Sequence, residues 1–381
     1  MFAKNKLFYC AFVLVILISC NTEKTQNPLQ EVLRSEAPEI KKVINSLSQH
    51  EIQILFTQID RDSQGTPLFT DYEFQVNSDN YFYPASSVKF PIAVLALEKL
   101  NREKKFTSDT RFFIEGDSLE TTFKDEVLKI FAVSDNEAYN RLFEFLGTDY
   151  INTNLHEKGL QPVRISHRLS APNANDVHTK PIILYENDTT ITQINSIANR
   201  EPVSLSLRNT RKGKAFYQGD SLVTEPFDFS LKNHLPLRTL HNTLKRVIFP
   251  EAFNQNEQFS LNQSDRDFLL NAMHTLPAAA GYDPSTYYDS YGKFFIFGDD
   301  KENIPDYIKI YNKVGYAYGT LTDCAYIKDS RNNIEFMLSA TILVNKDQVF
   351  NDNAYEYDDT GIPFLAELGR QLYAMELKRV K

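Results

Sequence analysis

The order of elements in the chain predicts an α+β domain, one antiparallel sheet with helices packed against it. Three observations carry that reading. A hairpin pattern, "EIQILFTQID" and "PLFTDYEFQV" around the turn "RDSQGT", opens the folded region. Three strand-like runs, "YIKIYNKV", "CAYIKD" and "IEFMLSATILVN", lie near the end. A helical block separates the two groups, and no repeat of fixed period is visible.

Each element has a local signal. "PEIKKVINSLSQH" places Ile40, Val43, Ile44 and Leu47 at helical spacing. "YFYPASSVKFPIAVLALEKL" (81–100) is a polar entry into an apolar helix that ends in the break "NREKKFTSD". "TTFKDEVLKIFAV" and "NEAYNRLFEFLG" predict two helices flanking "SDN". Residues from about 165 to 255, rich in Asn, Thr and Arg, carry no regular pattern. "SDRDFLLNAMHTL" predicts a helix capped by Ser264 or Asp265, and "IPFLAELGRQLYAMEL" a closing amphipathic helix.

With 381 residues, 42% of them hydrophobic and 24% charged, the composition is that of a globular protein with a sizeable core. A formal charge of −9 leaves no excess of basic groups to neutralise phosphates, which argues against a nucleic-acid partner. The seven histidines show no HxxEH or HExxH spacing, so neither a metal nor another cofactor is expected. Lys4 and Lys6 precede the apolar run "LFYCAFVLVILI", which has the form of a signal peptide and ends in "LISC" (17–20). That ending resembles a bacterial lipobox, which implies lipidation of Cys20 after removal of residues 1–19. The expected organisation is a tether over 20–37, one domain over 38–381 and an insertion at about 175–255. The expected location is the bacterial cell envelope, with the lipid anchor in the membrane and the domain facing the periplasm or the cell surface. Cys10 would leave with the signal, so Cys324 stands without a disulfide partner.

Ser86 and Lys89 are one helical turn apart and share a face. A serine is a weak nucleophile until a base takes its proton. Lysine can be that base when burial or nearby positive charge lowers its pKa. The start of an apolar helix supplies both conditions, with Phe90, Pro91, Ile92 and Val94 excluding water and free backbone N–H groups near an incipient oxyanion. The alternative is a capping serine beside a solvated lysine. Chain order favours chemistry: "SDN" follows at 134–136 and "KVG" at 313–315. The alternative for "SDN" is a helix cap before "EAYNRLF". A second Ser-x-x-Lys, Ser290 to Lys293, sits in a Tyr/Gly-rich turn, and the "SDN" at 78–80 precedes Ser86 in the wrong order.

The ordered triple resembles the active-site elements of class A β-lactamases and low-molecular-mass penicillin-binding proteins. The resemblance implies a five-stranded sheet flanked by helices, an all-helical part beside it and the active site between them. It implies Ser86 as acylated nucleophile and Lys89 as its proton partner. Ser134 would pass a proton to the leaving nitrogen, and Asn136 would hold the substrate amide. Lys313 would face the substrate carboxylate and Ser134 from the third strand. Gly315 and Tyr316 would complete the substrate site, the N–H of Tyr316 forming the oxyanion hole with that of Ser86. The implied activity is that of a serine hydrolase acting on β-lactams through an acyl-enzyme. Other outcomes are a D,D-peptidase or esterase on peptidoglycan-like or other small acyl substrates, or a non-catalytic binding lipoprotein that keeps the fold.

Three departures qualify the likeness. Val314 occupies the position usually held by Thr or Ser, and Asp323 stands where a carboxylate-binding Arg is common. In "HRLSAPN" (167–173), Arg168 fits the family loop, but Ser170 replaces the glutamate that activates water. Glu137, Glu186 and Glu201 are the remaining carboxylates considered for that role, with no local pattern supporting any of them.

Overall fold

A computed structural model describes residues 27–379. Cys20, the segment 1–19 and the first part of the 20–37 tether lie outside the described residues. The main sheet comprises β1 (Gln53–Arg61), β2 (Pro67–Phe74), β3 (Ile308–Ala317), β4 (Thr320–Asp329) and β5 (Ile334–Leu343). The strands pair antiparallel in the order β3-β4-β5-β1-β2. The β1–β2 turn is held by Asp62, whose carboxylate accepts the N–H groups of Gln64 and Thr66.

Side-chain alternation decides which helices each face meets. Ile54, Phe56, Leu321, Ala325, Phe336 and Leu338 point to one face, where α1 (Pro28–Leu33), α2 (Pro38–Ile44) and α9 (Ile362–Lys378) complete the core. Ile59, Cys324, Tyr326 and Met337 point to the other face. There they meet α7 (Leu237–Ile248) and a helical layer of α3 (Lys89–Glu103), α4 (Phe123–Ala132), α5 (Asn136–Leu146), α6 (Thr148–Glu157) and α8 (Gln263–His274). One polar seam crosses this second face. Buried His241 bonds Thr57 Oγ1 at 2.9 Å and Ser339 Oγ at 2.7 Å, while Lys245 pairs with Asp71 at 3.0 Å. Cys324 is a buried free thiol.

Three expectations are corrected. Residues 28–33, read as part of the tether, form α1, whose Leu29 and Val32 are buried against α9 because a short amphipathic turn finds apolar cover there. The range read as an insertion contains α7, which packs on β1, β4 and β5 and belongs to the core. Helix α8 is capped by Asn262, whose side chain accepts the N–H of Asp265, two residues before the nearer of the predicted caps. The rest of the insertion builds short strands, and its Phe227 and Phe229 join Tyr81, Tyr83 and Phe350 in an aromatic cluster. No helix among the described residues is long and apolar enough to cross a membrane.

Gly369 of α9 lets this helix approach the segment before β3. A Cβ there would lie 2.6 Å from Ile296 N and 3.0 Å from Phe295 Cβ. In an open helix, Gly→Ala gains about 1 kcal/mol, whereas overpacking against backbone costs about 1–3 kcal/mol. Gly369→Ala is therefore expected to destabilise by about 1 kcal/mol, read as a lower midpoint in urea unfolding.

Candidate active site

The site forms where the edge strand β3 passes the turn that leads into α3. Ser86 sits in a single 3₁₀ turn, Ala85–Val88, immediately before α3, and Ala85 is held left-handed at φ +46°. Gly315 of β3 permits the approach. A Cβ at that position would lie 2.6 Å from Pro84 O, 2.7 Å from Ser87 N and 2.9 Å from Ser86 N. Only a residue without a side chain lets the strand lie against the Ser86 turn.

Lys89, the first residue of α3, is fully buried. Its ammonium donates to Asn136 Oδ1 at 2.7 Å, to Ser134 Oγ at 3.3 Å and to the Ser134 carbonyl. None of these acceptors is Ser86, so the turn brings the two residues close while the lysine is held from the α4–α5 connection. Lys313 reaches the same serine from β3, donating to Ser134 Oγ and to Val314 O, both at 2.8 Å. Ser134 is thus a hydroxyl between two buried ammonium groups.

The "SDN" triplet divides its labour. Asp135 is the helix cap, accepting the N–H of Ala138 at 2.7 Å, while Ser134, left-handed at φ +58°, and Asn136 face the lysines. Burial lowers the Lys89 pKa to about 7, the nearby Asp135 carboxylate opposing only part of that. Burial also takes Lys313 well below the ordinary lysine value, helped by the positive charges of Lys89 and Lys293.

Ser86, Asn136 and the half-exposed Tyr316 line a cleft of about 600 Å³. Its opposite wall is the loop 167–174. Ser170, left-handed at φ +50°, accepts a hydrogen bond from Asn136 Nδ2 at 3.1 Å, so the position of the missing glutamate does face the site. Asn140 holds the loop backbone on both sides of Leu169, at 2.9 Å each. Buried Arg168 forms a two-pronged pair with Glu144 at 2.6 and 2.8 Å and also donates to the carbonyls of Asp176 and His178.

Among the described residues, no aspartate or glutamate lines this cleft. Glu137 and Glu201 are exposed away from it, and Glu186 pairs with Lys105 at 2.8 Å. Asp323 does not face the cleft either. It lies mid-strand in β4 on the face of Leu321 and Ala325, accepting from Asn312 Nδ2 at 2.8 Å and Phe294 N at 3.0 Å. The expectation that Asp323 stands in the place of a carboxylate-binding Arg is therefore corrected. Val314 likewise turns into the α9-side core. Lys293 of the second Ser-x-x-Lys is buried and ties Met273 O, Ile310 O and Asn312 together behind β3. Among the described residues no group of His, Cys, Asp and Glu is arranged to hold a metal ion.

Several lining residues have no motif to announce them. Lys232, Tyr318, Tyr355 and Tyr357 come from loops and from the insertion.

A model of the β-lactamase enzyme family matches residues 37–199, which include Ser86, Lys89, Ser134 and Asn136. No curated protein matches the chain. Among solved structures, a β-lactamase from Sphaerobacter thermophilus superposes with a TM-score of 0.51 at 12% identity, covering 90% of this chain and 94% of that one. A class A β-lactamase from Mycobacterium abscessus gives 0.51 at 13% identity, covering 91% and 98%. A β-lactamase from Burkholderia vietnamiensis gives 0.51 at 11% identity, covering 91% and 95%. The fold is therefore β-lactamase-like, with a five-stranded antiparallel sheet and helices on both sides.

Breaking a buried ion pair by removing one partner costs about 3–5 kcal/mol. Arg168→Ala should lose that much stability in denaturant unfolding and should raise hydrogen exchange across residues 167–178 before the rest of the chain.

Proposed function

We propose that this chain is a β-lactamase-type serine hydrolase that forms an acyl-enzyme at Ser86 and releases it slowly. The observation that carries the reading is the Ser134 hydroxyl held between Lys89 and Lys313, beside the Ser86 turn. In this scheme neutral Lys89 accepts the Ser86 proton as Oγ attacks the substrate carbonyl. The N–H groups of Ser86 and Tyr316 face the resulting oxyanion. The C–N bond then breaks, Ser134 gives its proton to the leaving nitrogen, and the proton held by Lys89 replaces it. Asn136 holds the acyl amide. Hydrolysis of the remaining ester needs a base for water, and the cleft wall offers the Ser170 hydroxyl where a carboxylate would serve. Chemistry therefore favours acylation over turnover on β-lactams or related acyl substrates. The lipobox-like "LISC" supports lipid anchoring at Cys20 in the cell envelope, where peptidoglycan-like substrates are found.

A fluorescent penicillin tests the reading. Covalent labelling of the purified domain that persists for minutes or longer and disappears in Ser86→Ala is expected. Labelling that survives Ser86→Ala, or no labelling by either penicillin or a fluorophosphonate, overturns it. Labelling by the fluorophosphonate alone assigns an esterase.

The pH dependence has a definite sign. Below pH about 7 Lys89 is an ammonium and cannot take a proton, whereas above it the amine is free. Labelling rates should rise as pH passes upward through about 7, and the step should vanish in Lys89→Met.

A further inference from the structure

Ser86 and Asn136 line the cleft, and Ser134, hydrogen-bonded to Lys313, lies beside them, where the proposed leaving nitrogen collects its proton. Residues 316–318 continue the β3 side of the cleft away from that point. The ring of Tyr318 packs edge-on against Tyr83 at 5.0 Å. Tyr83 in turn stacks on His167 at 6.3 Å, with an angle of 3° between the planes. Lys232 lies beside His167 and lines the same cleft. It therefore belongs to the Tyr318, Tyr83 and His167 side of the cleft, the side that the proposed chemistry leaves for the acyl chain.

Lys232 is half-buried, and its ammonium has no hydrogen-bond or ion-pair partner among the described residues. Arg164, next to it, spends its guanidinium on the carbonyls of Val203, Ser230 and Lys232 and has no carboxylate partner there either. Its Nε is buried without an acceptor. The other cation of the cleft wall, Arg168, is neutralised by Glu144. Because no aspartate or glutamate among the described residues lines the cleft, this side carries uncompensated positive charge in a partly desolvated setting. Burial accordingly lowers the Lys232 pKa, with no anion opposing it. Beside Lys313, Val314 is turned into the core and offers no hydroxyl to an anion.

We propose that Lys232 binds a carboxylate carried on the acyl portion of the substrate, so that this enzyme selects acyl donors with an anionic acyl chain. The inference rests on the serine acyl-enzyme reading and names its substrate class. The tyrosines Tyr83 and Tyr318 flank the charge with apolar ring surface, which suits an anionic group borne on an aryl or short alkyl stem.

Benzylpenicillin and carbenicillin differ only by a carboxylate on the acyl chain, so their ratio isolates this contact. The second-order acylation rate constant should favour carbenicillin in the native chain. The carbenicillin-to-benzylpenicillin ratio should fall about tenfold in Lys232→Gln and recover in Lys232→Arg, as for loss of one hydrogen bond between charged groups. An unchanged ratio in Lys232→Gln overturns the proposal. Equilibrium binding of the same two compounds to Ser86→Ala reads the site without acylation. A preference for carbenicillin that Lys232→Gln removes supports the site even where the native chain forms no adduct, an outcome that sinks the acyl-enzyme reading alone. No preference in Ser86→Ala overturns the Lys232 assignment whatever the chemistry at Ser86.

Discussion

Two buried amines meeting at one hydroxyl is the constraint on which the rest of the site depends. Lys89 and Lys313 cannot both keep a full charge in a dry wall without strong compensation, and the nearest acceptors are a serine, an asparagine side chain and backbone carbonyls. The fold meets that demand by bringing three segments together: the first turn of α3, the α4–α5 connection and the edge strand β3. The left-handed backbone at Ser134 and the bare Cα of Gly315 are local costs of that convergence. They are held in place by the surrounding apolar core, where α3 is buried over nearly its whole length.

The surroundings of this centre explain its specialisation. The loop 167–174 is pinned by Arg168, Glu144 and Asn140 as firmly as a catalytic loop would be, yet it presents a hydroxyl to Asn136. The insertion packs Phe229 and Phe227 against Tyr83 and Tyr318 of the cleft wall and places Lys232 in that wall. The framework is thus β-lactamase-like, while under the proposed chemistry Ser170 and Lys232 decide how long a substrate stays and what is bound.

Much of this was legible in the sequence for physical reasons. Continuous apolar runs along Ile54–Phe56 and Phe336–Leu338 reveal strands buried on both faces, and apolar spacing in α4, α5 and α9 reveals helices packed along one face. The three motifs were legible because each pairs a reactive side chain with a small or capping neighbour. Asp323 misled because its place was counted from a motif. Its parity with Leu321 and Ala325, also present in the sequence, points it to the opposite face. Helix α1 escaped notice because six residues carry too few apolar positions to show a period. Tyr318, Tyr355, Tyr357 and Lys232 escaped because residues brought together from separate loops share no spacing at all.

The serine at position 170 has a consequence for how such a protein would act on a cell's behalf. Under the proposed chemistry each chain is consumed by one substrate molecule for as long as the ester survives. Its effect would then scale with the number of copies present, as with a sponge or a sensor, and hardly with elapsed time.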